Sequence, residues 1–321
     1  MYQQLNSQVV KNIPNKKTTF LISVLAIATF GTACTPTRDG SSATQPNTTQ
    51  SPASPTNQTE EKQATITMAV IPWQVSAEQE KKIQPLADYL TKALKRPFKF
   101  KITKDYETAV DLLVKRKIDI AYLGPTSYIE AHRRDPKVEP LVAPINKETK
   151  RPWYTSVIIA NKTSGIKSLK DLKGKRFAFV TKLSTSGYIV PTVHFQEIGI
   201  NPERDFGSVI FAGSHDKAKE ALVKGEVDAI ADDRRSYTDQ VNEGKIDPKK
   251  YTIIWESSPL PSVPLVASSK VSVELKDELK KAFIDAPPGL VDPSGSIGVG
   301  YTLVQDGDYD IVREMQKRIA K

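Results

Sequence analysis

From residue 64 to the C-terminus, short continuous apolar runs alternate with stretches whose apolar residues recur every three or four positions. That alternation predicts an α/β fold in which crossover helices join the strands of a sheet. The first set of elements is a strand at 65–71 ending before Pro72, then a helix at 77–94 carrying Ile83, Leu86, Leu90 and Leu94 on one face. A strand at 98–103, a helix at 106–115 and a buried strand at 118–123 follow. Gly124-Pro125-Thr126-Ser127 then turns the chain, with Pro125 suited to a first helical position and the Thr126 or Ser127 hydroxyl presented at that helix start. A second set begins near Ser156, with strands at 156–160, 176–180, 208–212 and 227–231 and helices from about Ser186 and at 216–224. Strand character resumes at 252–255 and 263–267, and helices are expected at 275–284 and from about Tyr309, rejoining the first set. Two α/β lobes joined by two extended crossings place a cleft between them, with strand C-termini and helix N-termini facing it.

The chain ahead of residue 64 has a different character. Lys11, Lys16 and Lys17 precede an apolar run at 20–30 that is too short to span a bilayer, as in an export signal. Gly31-Thr32-Ala33-Cys34 follows, and it resembles the lipobox of bacterial lipoproteins, with Gly31 where leucine is usual. Cys34 is therefore expected to be a lipid attachment point, with ordinary signal cleavage near Ala33 as the alternative. As the sole cysteine of an exported chain it leaves no intramolecular disulfide, so stability must come from the core. Residues 35–63 are Ser, Thr, Pro, Asn and Gln with few apolar side chains, and read as a flexible tether.

The formal charge of +9 falls to +6 once the three signal lysines are removed. The lysines are interleaved with Asp and Glu and form no basic stripe with aromatic residues, so nucleic-acid binding is not expected. Mild steering of an anionic ligand or attraction to anionic lipid both remain compatible with this charge.

The stretch richest in chemistry is Thr181-Lys182-Leu183-Ser184-Thr185-Ser186-Gly187-Tyr188, between a predicted strand and a predicted helix. A helix start exposes unpaired N–H groups of partial positive charge, so an oxyanion can be held there together with the hydroxyls of Ser184, Thr185 and Ser186. An ordinary helix cap needs one such residue, and that reading stays open. His215 follows a predicted strand and the turn Gly213-Ser214, either as a donor facing the cleft or as a solvated loop histidine. Asp232-Asp233-Arg234-Arg235 should lie near the cleft mouth, with Asp233 either a helix cap in solvent or the acidic group beside the ligand.

Several short segments in order resemble the phosphate, phosphite and phosphonate substrate-binding proteins of ABC transporters. They are Asp105-Tyr106, Ile118 to Tyr128, Tyr154-Thr155-Ser156-Val157, Ser184 to Tyr188, Gly213 to Asp216, Gly225 to Ala229 and Asp308-Tyr309-Asp310. The resemblance implies a two-lobed periplasmic-binding-protein fold of the type II, Venus-flytrap kind. Lobe 1 would be residues 64–154 plus 256–321, and lobe 2 residues 155–255. It also implies a binding protein with no catalysis, no metal and no cofactor, working outside the cytoplasmic membrane as a monomer with ABC permease and ATPase subunits. Ser184, Thr185 and Ser186 would bind phosphoryl oxygens from lobe 2, and Tyr106 and Tyr154 would close on the ligand, with Thr126, Ser127, His215 and Asp233 completing the site. In relatives that take amino-phosphonates acidic groups pair with the ammonium, whereas Arg235 and Val263 stand at the corresponding positions here. A ligand without an amine is therefore expected: phosphite, phosphate or a simple alkylphosphonate. Binding of another small anion such as a sulfonate is the nearest alternative, and a membrane sensor working through a partner is another. A hydrolase using Ser184 or Ser186 with His215 and Asp233 lacks a G-x-S-x-G pattern to support it.

Because the tether separates anchor from fold, Cys34→Ala is expected to move the protein from the membrane pellet to the soluble fraction without changing ligand affinity. Fractionation checks this, and a variant that stays in the pellet would refute the lipid attachment.

Overall fold

The structure is a computed structural model that describes residues 64–73 and 76–319; the expected signal, Cys34 and the tether lie outside the described residues. In chain order the first elements are β1 (Ile66–Val70), α1 (Ser76–Leu94), β2 (Phe98–Ile102), α2 (Tyr106–Val114), β3 (Ile120–Tyr122), α3 (Pro125–Arg134) and β4 (Glu139–Asn146). Next, β5 (Trp153–Tyr154) leads to β6 (Ser156–Asn161), β7 (Arg176–Phe179), a π-helical turn at Thr185–Ile189, α4 (Val190–Glu197), α5 (Pro202–Asp205) and β8 (Ser208–Phe211). Then come α6 (His215–Val223), β9 (Ala229–Asp233), α7 (Arg234–Asn242) and β10 (Tyr251–Glu256). The chain returns through β11 (Leu260–Pro261) to β12 (Leu265–Ala267), α8 (Val273–Ile284), β13 (Gly298–Leu303) and α9 (Asp310–Ile319).

Two sheets result, the first six-stranded in the order β13-β4-β12-β3-β1-β2 and the second five-stranded in the order β10-β6-β9-β7-β8. The two crossings pair with each other, Leu260 opposite Tyr154 and Pro261 opposite Trp153, as a short antiparallel ribbon. This is the two-lobed α/β fold that the alternation of apolar runs predicts. β1 pairs in parallel with both β2 and β3, and a parallel strand covered on both faces must be apolar throughout. That is why Met68, Ala69, Val70, Ile120, Ala121 and Tyr122 are all fully buried. The helical stripe Ile83, Leu86, Leu90 and Leu94 is buried as its spacing requires. The terminal helix α9 packs on α3 and on α4, so it touches helices of both lobes.

β4 and β13 are strands that the sequence pattern did not reveal. β4 carries Pro140 and Pro144 yet sits between β12 and β13, where proline usually breaks a ladder. The register slips on both sides, between Leu265 and Val266 of β12 and between Gly298 and Tyr301 of β13, and these irregularities accommodate the missing N–H groups.

The second lobe is centred on aromatic rings. Phe177 meets Phe179 at 4.9 Å and Phe195 at 5.8 Å, both edge-on, and Phe206 at 5.3 Å. Because Phe177 is fully buried among them, Phe177→Ala should lower stability by about 3–5 kcal/mol, read as a fall in denaturation midpoint. A midpoint within experimental error of wild type would show that this cluster does not hold the lobe.

Candidate functional site

Strand ends and helix starts converge between the sheets. β2 feeds α2 at Tyr106, β3 feeds α3 at Pro125, β7 feeds the π turn at Thr185, β8 feeds α6 at His215, and β9 feeds α7 at Arg234. Side chains make these helix starts locally stable: Asp105 accepts from Thr108 N–H, Ser184 from Gly187 N–H, Ser214 from Lys217 N–H and Asp233 from Ser236 N–H. The residues singled out from sequence, Tyr106, Thr126, Ser127, Tyr154, Ser184, Thr185, Ser186, His215 and Asp233, are all buried here.

The hydroxyl cluster spans the two lobes. Thr126 N–H donates to Thr185 Oγ1 at 2.9 Å, the two threonine hydroxyls lie 2.8 Å apart, and Ser127 Oγ donates to the Leu183 carbonyl at 3.0 Å. Where a plain helix start at Ser186 was expected, the chain makes a π turn, with Ile189 N–H bonded to the Ser184 carbonyl and Val190 N–H to that of Thr185. Such wide turns leave backbone groups displaced from the ordinary helical ladder and recur at functional sites. Gly187 is needed for packing, since a Cβ there would stand 2.3 Å from Val180 Cγ2. The close approach that Gly187 permits is thus to Val180 on its own lobe.

Tyr106 and Tyr154 border this cluster. Burial first, and then the Asp233 charge, pushes both phenols well above their ordinary range, so each keeps its proton at neutral pH and acts as a donor. The Tyr106 hydroxyl is buried with no hydrogen-bond partner, an arrangement that costs free energy unless something else accepts from it.

Below the hydroxyls lies a buried ionic network. His215 Nδ1 is 2.5 Å from Asp232 Oδ1, and Lys219 Nζ donates to Asp232 Oδ2 at 3.1 Å and to Ser236 Oγ at 2.5 Å. Burial pushes the Asp232 carboxyl up, but the Lys219 ammonium and His215 outweigh it and hold the carboxyl below its usual value. Trp73, in the junction after β1, donates its indole N–H to Asp233 Oδ2 at 3.2 Å and stacks on His215 with centroids 5.0 Å apart. His215 is therefore no solvated loop residue, and Asp233 is a cap that is wholly buried. His215 Nδ1 is bonded to Asp232, and the Ser184 hydroxyl accepts from Gly187 N–H as the cap of the π turn. His215, Asp232 and Asp233 offer three metal-ligand atoms within 4.8 Å, but Lys219, Trp73 and the helix cap already occupy those carboxylates.

Asp233 is the acidic candidate that the sequence offers, and the structure places two further buried carboxylates near it, Asp232 and Asp292. Asp292, in the loop between α8 and β13, accepts from Tyr122 at 3.3 Å and from Arg235 at 3.2 Å. Trp73, Tyr122 and Asp292 escaped sequence reading; only the position of Trp73 directly behind a strand could have signalled it. Arg234, by contrast, points outward to Glu256.

Residues 68–296 match the family described as "ABC transporter, phosphonate, periplasmic substrate-binding protein". The chain belongs to that family. The phosphate-import protein PhnD of Mycolicibacterium smegmatis is 31% identical over 271 residues, covering 78% of this chain and 84% of that protein. The phosphonates-binding periplasmic protein of Escherichia coli is 29% identical over 187 residues, covering 56% of this chain and 54% of that one. In fold, PhnD1 of Prochlorococcus marinus, solved with methylphosphonate, matches with a TM-score of 0.72 at 19% identity, over 80% of this chain and 98% of that one. As a member of this family the chain is a substrate-binding component of an ABC importer, acting outside the cytoplasm.

Asp239 on α7 faces the cleft and accepts from Ser296 Oγ across it at 2.7 Å. Burial first, with the Asp233 and Asp292 charges behind it, raises the Asp239 carboxyl above its ordinary range against the pull of Ser296 and Arg235. The folded state then binds this proton more tightly than the unfolded chain, so stability falls as pH rises from about 4 through the raised value. Asp239→Asn should remove that loss, melting higher than wild type at pH 7 with the difference shrinking toward pH 4. A pH-independent difference in melting would contradict the assignment.

Proposed function

We propose that this protein captures a small phosphorus oxyanion without an amine, phosphite, phosphate or a short alkylphosphonate, between Tyr106, Thr126, Ser127, Tyr154 and the Ser184-Thr185-Ser186 turn. It hands the ligand to ABC permease and ATPase subunits while tethered to the membrane as a lipidated monomer at Cys34, and it carries out no chemistry on the ligand. The observation that supports this reading most directly is the meeting of hydroxyls from two opposed helix starts beside a buried, unpartnered Tyr106 hydroxyl. Neutral donors and helix N-termini suit an anion already stripped of water. The relatives named for phosphate, phosphonates and phosphite fall in the same ligand class.

Buried carboxylates favour phosphorus over sulfur. A phosphonate or phosphite can carry a P–OH proton and so a smaller charge beside the buried Asp232 and Asp233, whereas a sulfonate or sulfate has no proton near neutral pH and meets the full repulsion. His215, tied to Asp232 through Nδ1, contributes from the wall of the site.

Replacing Ser184, Thr185 and Ser186 together by alanine should weaken binding at least about a hundredfold, since each lost hydrogen bond to a charged acceptor is worth about 1.5–3 kcal/mol. Stability should fall much less, because a lost helix cap costs about 1 kcal/mol. Calorimetric titration with phosphite, phosphate, methylphosphonate and sulfate, beside a thermal melt, tests both statements. Affinity within a few-fold of wild type in the triple variant would move the site elsewhere.

A further inference from the structure

We infer that Arg235 is the selector of this site: its guanidinium fills, from the protein itself, the place of a ligand cation between Asp233 and Asp292, and walls the hydroxyl cluster off from the open cleft. Arg235 is the second residue of α7, on the second lobe, whereas Asp292 reaches it from a loop of the first. Its side chain is 11% exposed, with one terminal nitrogen 3.2 Å from Asp292 Oδ2 and Nε 4.0 Å from Asp233 Oδ1. The guanidinium carbon stands 5.8 Å from the centre of the Tyr154 ring, so the same group that faces the carboxylates also covers a wall of the proposed site. Tyr122, Ser294 and Ser296 hold Asp292 in place, through its side-chain oxygens.

Two buried carboxylates converging on one buried cation make an acceptor for positive charge. Arg235 pairs with Asp292 and sets its charge 4.0 Å from Asp233, so an incoming ammonium meets a like charge beside both carboxylates. Geometry adds a size limit. Arg235 also lines a cavity of about 520 Å3 with Lys82, Asn146, Asp239 and Ser296, between the two lobes, and neither Tyr154 nor the 184–186 turn is among its lining residues. With the guanidinium in place the substituent of a phosphonate cannot extend into that space. Val263, fully buried, offers no charge of its own.

This inference rests on the phosphorus-oxyanion reading, and the test separates the two. Titrate wild type, Arg235→Ala and Arg235→Ala/Asp292→Asn with methylphosphonate, aminoethylphosphonate and its near-isostere propylphosphonate. Wild type is expected to bind methylphosphonate and to take aminoethylphosphonate at least tenfold more weakly. In Arg235→Ala the affinity ratio of aminoethylphosphonate to propylphosphonate should rise at least tenfold, and the second substitution should cancel most of that rise. An unchanged ratio in Arg235→Ala overturns the selector, whereas a wild-type protein that binds neither phosphite nor any phosphonate overturns the underlying ligand reading. Because Arg235→Ala leaves two buried carboxylates without their cation, its melting is followed with and without millimolar methylguanidinium. A rise in Tm for the variant alone is expected, and a destabilised variant that the cation fails to rescue refutes the counter-ion role.

Discussion

The arrangement depends on helix starts of the same polarity being brought together. Each carries unpaired N–H donors and a partial positive charge, and α3 meets the π turn closely enough for Thr126 N–H to bond Thr185 Oγ1. Left alone, these ends would repel and leave donors unsatisfied in a dry interior. Acceptors are therefore packed around them: Asp105, Ser184, Ser214 and Asp233 as caps, and Asp232 and Asp292 in the layer beneath. The same surplus of donors makes the cleft suited to an anion.

The lobes meet through polar contacts in the interior and at the surface. Trp73 with Asp233, Thr126 with Thr185, Ser127 with Leu183, Ser296 with Asp239 and Arg235 with Asp292 join them in the interior, whereas Lys82 with Glu243 and Lys245 with Glu78 do so at the surface. Exposed pairs of the second kind contribute about 0–1 kcal/mol each. Several of the interior contacts come from groups of the proposed site, so a ligand that bonds to both lobes would favour the arrangement in which they meet. The paired crossings β5 and β11 are short, so they can flex without disturbing either sheet.

Much of this was legible in the sequence, and the parts that were not share a cause. Strands and helices with their own periodicity, such as β1, α1 and β9, announce themselves, and the hydroxyl run at 184–186 marks the turn that meets the other lobe at Thr126. β4 was hidden because Pro140 and Pro144 argue locally against a strand, and only the bulged neighbours that absorb them, over a hundred residues later, make it one. Asp292 was hidden for a related reason. It stands in Asp292-Pro293-Ser294-Gly295-Ser296, a composition that reads as a solvent-facing turn, and its partners Tyr122 and Arg235 are far away in sequence. The role of Asp232 was equally non-local, since Lys219 and His215 come from the preceding helix.

The network also bears on why hydroxyls rather than cations face the proposed anion. Lys219 is bonded to Asp232 and Arg235 to Asp292, so the positive side chains nearest the cleft already have negative partners. A buried anion pinned by an unneutralised guanidinium is hard to release, because breaking a buried pair strands both charges. Hydrogen bonds from hydroxyls and backbone N–H groups can be exchanged for water one at a time as the lobes part. On this reading selectivity would rest on the ligand's protons, its volume and the charge of its substituent: buried carboxylates disfavour an oxyanion with no proton to give, and the Arg235 guanidinium disfavours a large or cationic group on the phosphorus. The scattered positive excess of the chain is of the sign that would steer an anion at long range, as distinct from the neutral donors that would hold it.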